Sequence, residues 1–249
     1  TEVAARLAAR AAKRLTLPAA RARLLLGGVA VHLNRPVSEE AVAALLETCV
    51  ALFEGDVWKK LVDPTGRSLV AAVTKGAADY AAETSNPRHL RSQAMRMLQR
   101  AVETSQQGWR DFLPGLFSRL YGVAAAPSWS PKDGSLRADA VSAAAALVVA
   151  AVPKKERRRL SALDAVAAMK GATEPADDLR DRLRAYVPPM LVRARRDPSA
   201  ASRMAAVEAA SKLLATGYLD EGVLADTLVA LRFDDEAPEV ARAAAVALR

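Results

Sequence analysis

The side chains that most often do chemistry are few in this sequence and stand far apart. The chain has two histidines, His32 and His89, and one cysteine, Cys49. A structural zinc site takes about four ligands at short spacing, which these three residues do not supply. Each histidine falls in a helical pattern, and Cys49 falls in an apolar stripe. We therefore expect two helix-surface histidines, a core cysteine, and a protein without a metal or a cofactor.

Patterns typical of catalytic sites are missing as well. No serine stands in a Gly-x-Ser-x-Gly pattern, which would place a nucleophile on a sharp turn. Gly27-Gly28 lies in an apolar helical segment and lacks the lysine of a phosphate-binding loop. Three acid pairs stand at helix starts, where carboxylates stabilise the helix dipole: Asp177-Asp178, Asp220-Glu221 and Asp234-Asp235. The sequence favours a protein that is not an enzyme.

Clustered basic residues are the best candidates for a binding surface. The chain carries 36 Lys and Arg against 28 Asp and Glu, which gives a net charge of +8. Two basic clusters and one tryptophan are the candidate partner contacts: Lys154, Lys155, Arg157, Arg158, Arg159, Arg193, Arg195, Arg196 and Trp129. Trp129 stands in a proline-bounded loop, where a large aromatic either packs on its own fold or contacts a partner.

Three interpretations of the basic clusters remain open. They are solvated helix ends, a surface for an acidic protein partner, or a surface for nucleic acid. Nucleic-acid sites usually add aromatic or amide side chains for stacking and base recognition. The basic clusters here have few such neighbours. Binding to nucleic acid is therefore expected to be independent of sequence and sensitive to salt.

Composition predicts the fold class. Hydrophobic residues make up 51% of the chain and aromatics 4%, with 56 alanines and no isoleucine. Abundant Ala, Leu, Arg and Glu favour helices, and the shortage of β-branched residues other than Val disfavours sheets. The longest apolar run, residues 143–153, has the length of a core helix and is too short for a membrane span. We expect an all-α protein that does not associate with membranes.

Helix-breaking residues divide the chain into about a dozen helical segments. Ser38 is expected to cap the third helix. Asp63–Gly66 is predicted as a turn and residues 124–135 as the longest loop. Pro189 is expected to begin a new helix after one that ends at Val187.

A repeated pattern predicts how these helices are arranged. Pro87 and Arg91 stand four residues apart, as do Pro238 and Arg242. Arg203 precedes Arg242 by about 40 residues, close to the period of HEAT and armadillo repeats. Proline begins each helix, the arginine is expected to point outward, and nearby alanines allow close packing. The pattern predicts a HEAT/armadillo-like α-solenoid of stacked antiparallel helix pairs, although a plain helical bundle shares most of it.

One segment also resembles a known family. Residues 109–120, Trp-Arg-Asp-Phe-Leu-Pro-Gly-Leu-Phe-Ser-Arg-Leu, resemble the beginning of a helix in the large HEAT-repeat subunit of the Triple-T (TTT) co-chaperone complex. That subunit is the first telomere-maintenance-two interacting protein. Segments 15–50 and 67–82 are compatible with its early repeats, and segments 179–191, 203–214 and 228–248 follow the order of its N-terminal half. The chain differs from the family in a longer loop at 122–135 and a direct junction at 152–154.

The resemblance implies a function. It implies a non-catalytic scaffold subunit of a TTT-like complex that works with Hsp90 and supports assembly of phosphatidylinositol-kinase-related kinases of the mTOR, ATM and ATR class. Its partners are then the other TTT subunits, those kinases and Hsp90-linked co-chaperones, in cytoplasm and nucleus. The alternative is a basic α-solenoid that binds nucleic acid without sequence specificity.

The domain organisation follows from the same pattern. HEAT-like repeats are expected over residues 1–123, a loop over 124–135, and further repeats over 136–249. The junction at 152–154 is a candidate place for omitted residues. Because the first residue is Thr, the chain is expected to be a fragment of a longer protein. Residues 1–26 suit an amphipathic first helix, although their Ala- and Arg-rich composition is also that of an organellar transit peptide.

Overall fold

In the computed structural model, every regular element of the described residues is an α-helix. These residues are 18–33, 38–54, 61, 64–104, 113–125, 133–151, 178–217, 219 and 221–249. The helices are α1 (Ala19–His32), α2 (Glu39–Glu54), α3 (Pro64–Ala82), α4 (Arg88–Thr104), α5 (Leu113–Ala124), α6 (Gly134–Ala151), α7 (Asp178–Ala194), α8 (Ala200–Leu214), α9 (Glu221–Asp234) and α10 (Pro238–Ala247). The prediction of an all-α protein is confirmed for this part of the chain.

Local sequence accounts for where most of these helices begin. Ser38 accepts a hydrogen bond from the Ala41 N–H at 3.3 Å, as expected of a helix cap. The predicted turn at Asp63–Gly66 is wrong, because α3 already begins at Pro64. Proline suits the first helical position, since its missing N–H would have no partner there.

The predicted helix break at Pro189 is also wrong. One helix, α7, runs from Asp178 to Ala194 through Pro188 and Pro189. Each proline removes one backbone hydrogen bond inside the helix, which costs stability. Val187 and Leu191, on either side of the prolines, are both fully buried. Burial of these apolar side chains holds the helix together across the two missing bonds.

The chain divides into two compact units, residues 1–123 and 124–249. In the first unit, α1 packs on α3 and α2 packs on α4, while α3 and α4 form an antiparallel pair. Arg91 of α4 donates from Nε to the Ala81 carbonyl of α3 at 2.7 Å and closes the turn between them. Arg119 of α5 forms an ion pair with Asp79 of α3. Helices α1 and α3 therefore lie side by side, as do α2 and α4, and one ion pair joins α5 to α3.

The second unit has the same arrangement of pairs. Helix α8 lies between α6 and α10, and α7 and α9 contact each other and α8. Gly134, at the start of α6, stands so close to Ser199, just before α8, that a side chain at 134 would displace Ser199. The starts of α6 and α8 thus lie side by side. Ala206 of α8 and Ala144 of α6 are fully buried, which fits the predicted role of alanine in close helix packing.

Helix α6 is long and apolar enough to cross a membrane by length and composition, and no other described helix is. About two thirds of it, 67%, is buried inside the fold. A core helix of a globular protein passes the same test of length and hydropathy. Its first turn also carries Arg137, which is buried in a salt bridge described below.

Cys49 occupies the core position that the sequence predicted. Its side chain is fully buried in α2, and burial raises the pKa of its thiol well above the usual range. We expect native Cys49 to react with a thiol reagent at least about a hundredfold more slowly than in urea, because only the thiolate reacts. The control is Glu47→Cys in a Cys49→Ala chain, which places a thiol on the exposed face of α2. Equal rates for the two thiols would contradict the prediction.

Candidate functional site

Two aspartates in the second unit stand in the turns that precede helices α8 and α10. They are Asp197 and Asp235, and both are buried by their contacts with arginines from neighbouring helices. Each aspartate also receives a hydrogen bond from the backbone N–H two residues further on, at Ser199 and at Ala237. Each carboxylate therefore shapes its own turn and binds another helix.

The first pair joins α6 to the turn before α8. Arg137 Nε lies 2.5 Å from Asp197 Oδ2, and Nη2 lies 2.8 Å from Oδ1. Both side chains are only 4% exposed. The planar guanidinium matches the carboxylate with two parallel hydrogen bonds, which is the strongest common geometry for such a pair. This pair fixes the start of α6 against the start of α8.

The second pair joins α8 to the turn before α10 in the same way. Arg203 Nε lies 2.7 Å from Asp235 Oδ2, and Nη2 lies 3.0 Å from Oδ1. Arg203 also donates from Nη1 to the carbonyls of Asp197 at 2.8 Å and Pro198 at 3.2 Å. The side chain of Asp235 is fully buried. One guanidinium thus ties together two successive turns.

These two pairs form a ladder of arginine–aspartate contacts that repeats along the second unit. Asp197 and Asp235 are separated by about 40 residues, close to the length of one HEAT-type repeat. The prediction that the arginines of the repeated pattern point outward is wrong for Arg203 and Arg91, which bind the turns beside them. The buried carboxylate of Asp235 accepts hydrogen bonds from Arg203, and the backbone carbonyl of Ala81 accepts one from Arg91. Pairing with these acceptors stabilises each guanidinium more than exposure on the helix surface.

The ladder lowers the pKa of both aspartates. Burial by itself raises the pKa of Asp197, but the hydrogen bonds from Arg137 and the Ser199 N–H outweigh burial and lower it below 3.8. Burial likewise raises the pKa of Asp235, and the hydrogen bonds from Arg203 and Ala237 lower it below 3.8. Both carboxylates are therefore ionised in the folded protein at neutral pH.

Acid is expected to weaken the second unit through these two groups. Well above pH 3.8 both aspartates are ionised in the folded and the unfolded chain, so the full stabilisation is present. As the pH falls through 3.8, the unfolded chain binds protons before the folded chain does, and the free energy of unfolding decreases until the folded pKa is passed. Urea unfolding between pH 7 and pH 2 measures this decrease. It should be smaller in an Asp235→Asn chain, and an unchanged pH dependence in that chain would contradict the prediction.

A cleft lies between the two turns of the ladder. Its volume is about 560 Å³. Arg195, Arg196 and Pro198 line it from the first turn, and Asp234 and Glu236 line it from the second. Arg203, Asp235, Asp197 and two apolar residues of α9, Ala230 and Leu231, complete the lining. The cleft is thus open to solvent, with two cations on one side and two carboxylates on the other.

The structure brings some of the predicted contact residues together. Arg195 and Arg196 line the cleft, whereas Arg193 is half-buried in the last turn of α7 and does not line it. The other candidates lie outside the described residues: Lys154, Lys155, Arg157, Arg158, Arg159 and Trp129. Their predicted role as partner contacts stays a prediction.

Sequence reasoning missed the polar residues that organise this site. Arg137 and Asp197 are 60 residues apart, and Arg203 and Asp235 are 32 apart, so no local pattern joins them. One signal was available: an aspartate stands shortly before a proline in both turns, at Asp197-Pro198 and at Asp235–Pro238. Because one repeat length separates the two aspartates, they could have been recognised as equivalent positions.

Nothing in the described ranges gathers the ligands of a metal ion: no group of three or more His, Cys, Asp or Glu side chains meets there. His32 and His89 are exposed on helices, as predicted. No protein-family model matches the chain, and no curated protein sequence matches it significantly. The site therefore has to be interpreted from its own geometry. It is a mixed-charge cleft in a unit whose described elements are helices, and buried ion pairs stand beside it.

Proposed function

We propose that this chain is a non-catalytic scaffold, a HEAT-like α-solenoid that holds protein partners on its exposed turns. One observation carries the proposal: the same arginine–aspartate contact joins α6 to α8 and α8 to α10. Its two aspartates are about 40 residues apart, and a contact that recurs at such a spacing is typical of stacked repeats. Stacked repeats make long surfaces on which partners can be positioned.

The charges around the cleft favour a polypeptide as the bound partner. Arg195 and Arg196 can pair with acidic side chains, while Asp234 and Glu236 can pair with basic ones. A protein segment can carry both signs of charge. A nucleic-acid backbone carries only negative charge, so the two carboxylates would repel it. The alternative of nucleic-acid binding is therefore kept as an outcome of the test.

The finer form of the proposal follows from the resemblance of residues 109–120. On that basis the scaffold is a subunit of a TTT-like complex that works with Hsp90, and its partners are the other TTT subunits and phosphatidylinositol-kinase-related kinases. The resemblance in sequence is its support. The identity of the captured partners decides this form of the proposal.

Reversing the two cleft cations tests the proposal. We expect Arg195→Glu with Arg196→Glu to reduce capture of protein partners at least about tenfold, because two cations become two repelling carboxylates. The tagged protein is captured from its own cells at moderate salt with nuclease added, and partners are quantified by mass spectrometry. The matched control is Arg21→Glu with Arg67→Glu, which changes the same charge at two exposed positions of the first unit.

Each outcome decides between the hypotheses. Loss of partners in the cleft variant alone supports a protein-binding scaffold. Recovery of the two other TTT subunits and large kinases supports the finer form. Equal capture by the parent and both variants would contradict the role of the cleft. Nucleic-acid-processing proteins that are recovered only in a parallel capture without nuclease would favour the nucleic-acid alternative.

A further inference from the structure

Four charged side chains at the edge of the cleft take no part in the contacts that hold the fold together. Arg195 and Arg196 follow the end of α7 and form what we call the basic rim. Asp234 ends α9 and Glu236 lies just beyond it, and these two form the acidic rim. Arg195 is half-buried and the other three are exposed. None of the four forms an ion pair or a side-chain hydrogen bond with another described residue, so their charges are available to a ligand.

The inner wall of the cleft, by contrast, carries charges that are already paired. Arg203 and Asp235 line it and neutralise each other, and Asp197 is paired with Arg137. Leu231, which is only 3% exposed, adds an apolar surface to this wall. A ligand in the cleft therefore meets charge at the two rims and an apolar contact inside.

The fold holds the two rims apart without a ligand. Arg203 binds Asp235 beside the acidic rim and the carbonyls of Asp197 and Pro198 beside the basic rim. The volume of the cleft, about 560 Å³, lies within the range of about 300–1,000 Å³ that is typical of sites for compact ligands. Because the site is already formed, binding costs the protein little conformational freedom.

The opposite charges of the rims select a ligand that carries both signs. A wholly acidic segment is attracted by the basic rim and repelled by the acidic rim, and the reverse holds for a wholly basic segment. A segment with one acidic and one basic side chain pairs with both rims at once. Repulsion of segments with a single sign of charge makes this choice specific.

We propose that the cleft binds one short segment of a partner protein in which an apolar residue stands between an acidic and a basic one. The acidic residue pairs with the basic rim, the basic residue pairs with the acidic rim, and the apolar residue contacts Leu231. The inference rests on the scaffold function proposed above and names the class of partner segment that the cleft accepts. It makes Asp234 and Glu236 as important for the choice of partner as the two arginines.

Reversing the acidic rim tests whether the partner carries both charges. We expect Asp234→Lys with Glu236→Lys to lower capture of protein partners at least about fivefold in the cell experiment described above, because the partner's basic residue is then repelled. A partner with acidic residues alone would be captured more strongly by this variant. The matched control is Glu47→Lys with Glu54→Lys, which makes the same change of charge at two exposed positions of α2. Asp234→Asn with Glu236→Gln removes the charges without reversing them, and it should lower capture at least about threefold.

The results for the two rims separate this inference from the scaffold proposal. Lower capture after reversal of either rim supports both. Unchanged or increased capture by the acidic-rim variants overturns the inference, and the scaffold proposal then stands as long as Arg195→Glu with Arg196→Glu lowers capture. Equal capture by the parent and by the variants of both rims overturns the two together.

Synthetic peptides test the same point with the full chain alone. The probes are pentapeptides with blocked ends: Gly-Asp-Leu-Lys-Gly and Gly-Lys-Leu-Asp-Gly carry both charges, whereas Gly-Asp-Leu-Asp-Gly and Gly-Lys-Leu-Lys-Gly carry one sign. Titration followed by NMR gives the Kd of each peptide. At least one mixed peptide is expected to bind at least about fivefold more tightly than either peptide of single sign. Equal affinities, or no binding of the mixed peptides at millimolar concentrations, would overturn the inference.

Urea unfolding shows whether the occupant is a partner or another stretch of this chain. Arg195→Gln with Arg196→Gln removes the charge of the basic rim and keeps most of the side-chain length. Because the purified protein lacks the partner, its folding equilibrium constant is expected to change less than about threefold. A decrease of about tenfold or more would show that the chain itself fills the cleft, and it would overturn the assignment to a partner.

Discussion

Asp197→Ala is expected to lower the free energy of unfolding of the second unit by about 3–5 kcal/mol. The substitution removes the carboxylate that accepts two hydrogen bonds from the Arg137 guanidinium, which is 4% exposed. A buried cation that loses such a pair is no longer compensated to the same extent for its desolvation. The Ser199 N–H also loses its acceptor at the start of α8. Urea unfolding at pH 7, followed by circular dichroism, measures the loss.

Two controls separate the buried pair from ion pairing in general. Glu103→Ala removes the partner of exposed Arg100, at 3.5 Å on α4, and is expected to change the free energy of unfolding by less than about 1 kcal/mol. Arg137→Met with Asp197→Leu replaces both charges by apolar groups of similar size. That double variant should recover much of the loss, because no charge remains buried. A loss below about 1 kcal/mol for Asp197→Ala, on the order seen for exposed pairs, would show that the pair does not hold α6 to α8.

Arg203→Met is expected to lower the free energy of unfolding by about 2–3 kcal/mol. Methionine keeps most of the length of the side chain, so the loss reports on the guanidinium. That group binds the buried carboxylate of Asp235 and the carbonyls of Asp197 and Pro198. The expected loss is smaller than for Asp197→Ala because Arg203 is 16% exposed, so its guanidinium keeps some contact with water in the folded protein.

A double-mutant cycle tests whether the two contacts of the ladder act together. Arg203 donates to the backbone carbonyl of Asp197, so the turn that Asp197 shapes also positions Arg203. Asp197→Ala combined with Arg203→Met is therefore expected to cost less than the two single losses added together, by about 0.5–3 kcal/mol. Additive losses would show that each contact acts alone. Arg242→Ala in the parent chain serves as the control. Arg242 holds the same position in the repeated pattern as Arg203, but it binds the Pro238 carbonyl and no carboxylate among the described residues.

Short-range sequence was enough to predict much of the fold. The helix cap at Ser38 and the helix that begins at Pro238 depend on residues within one turn, and both are as expected. The apolar stripe around Cys49 in α2 is buried at Val42, Leu46, Cys49 and Phe53, while its other members Leu45 and Val50 are half-buried. Helical period and capping are local properties, because their hydrogen bonds join residues at most four positions apart.

Packing between helices overrode local sequence in α7. Pro188 and Pro189 ordinarily end a helix, because each lacks the N–H that the helix needs. The buried neighbours Val187 and Leu191 nevertheless keep this helix continuous. Sequence reasoning placed a break there because it could not weigh the burial of residues on both sides of the prolines.

The cleft and the ladder depend on tertiary structure even more. Arg137 pairs with Asp197, which is 60 residues further along the chain. Arg195 and Glu236 line the same cleft because helices α8 and α9 bring the turn before α10 back beside the turn before α8. Neighbours along the chain were sufficient to predict most of the helical segments and where alanines allow close packing, but not the continuity of α7 or the start of α3. The stacking of helices set which charges pair and which remain exposed, because a buried charge takes the partner that folding brings within hydrogen-bond distance.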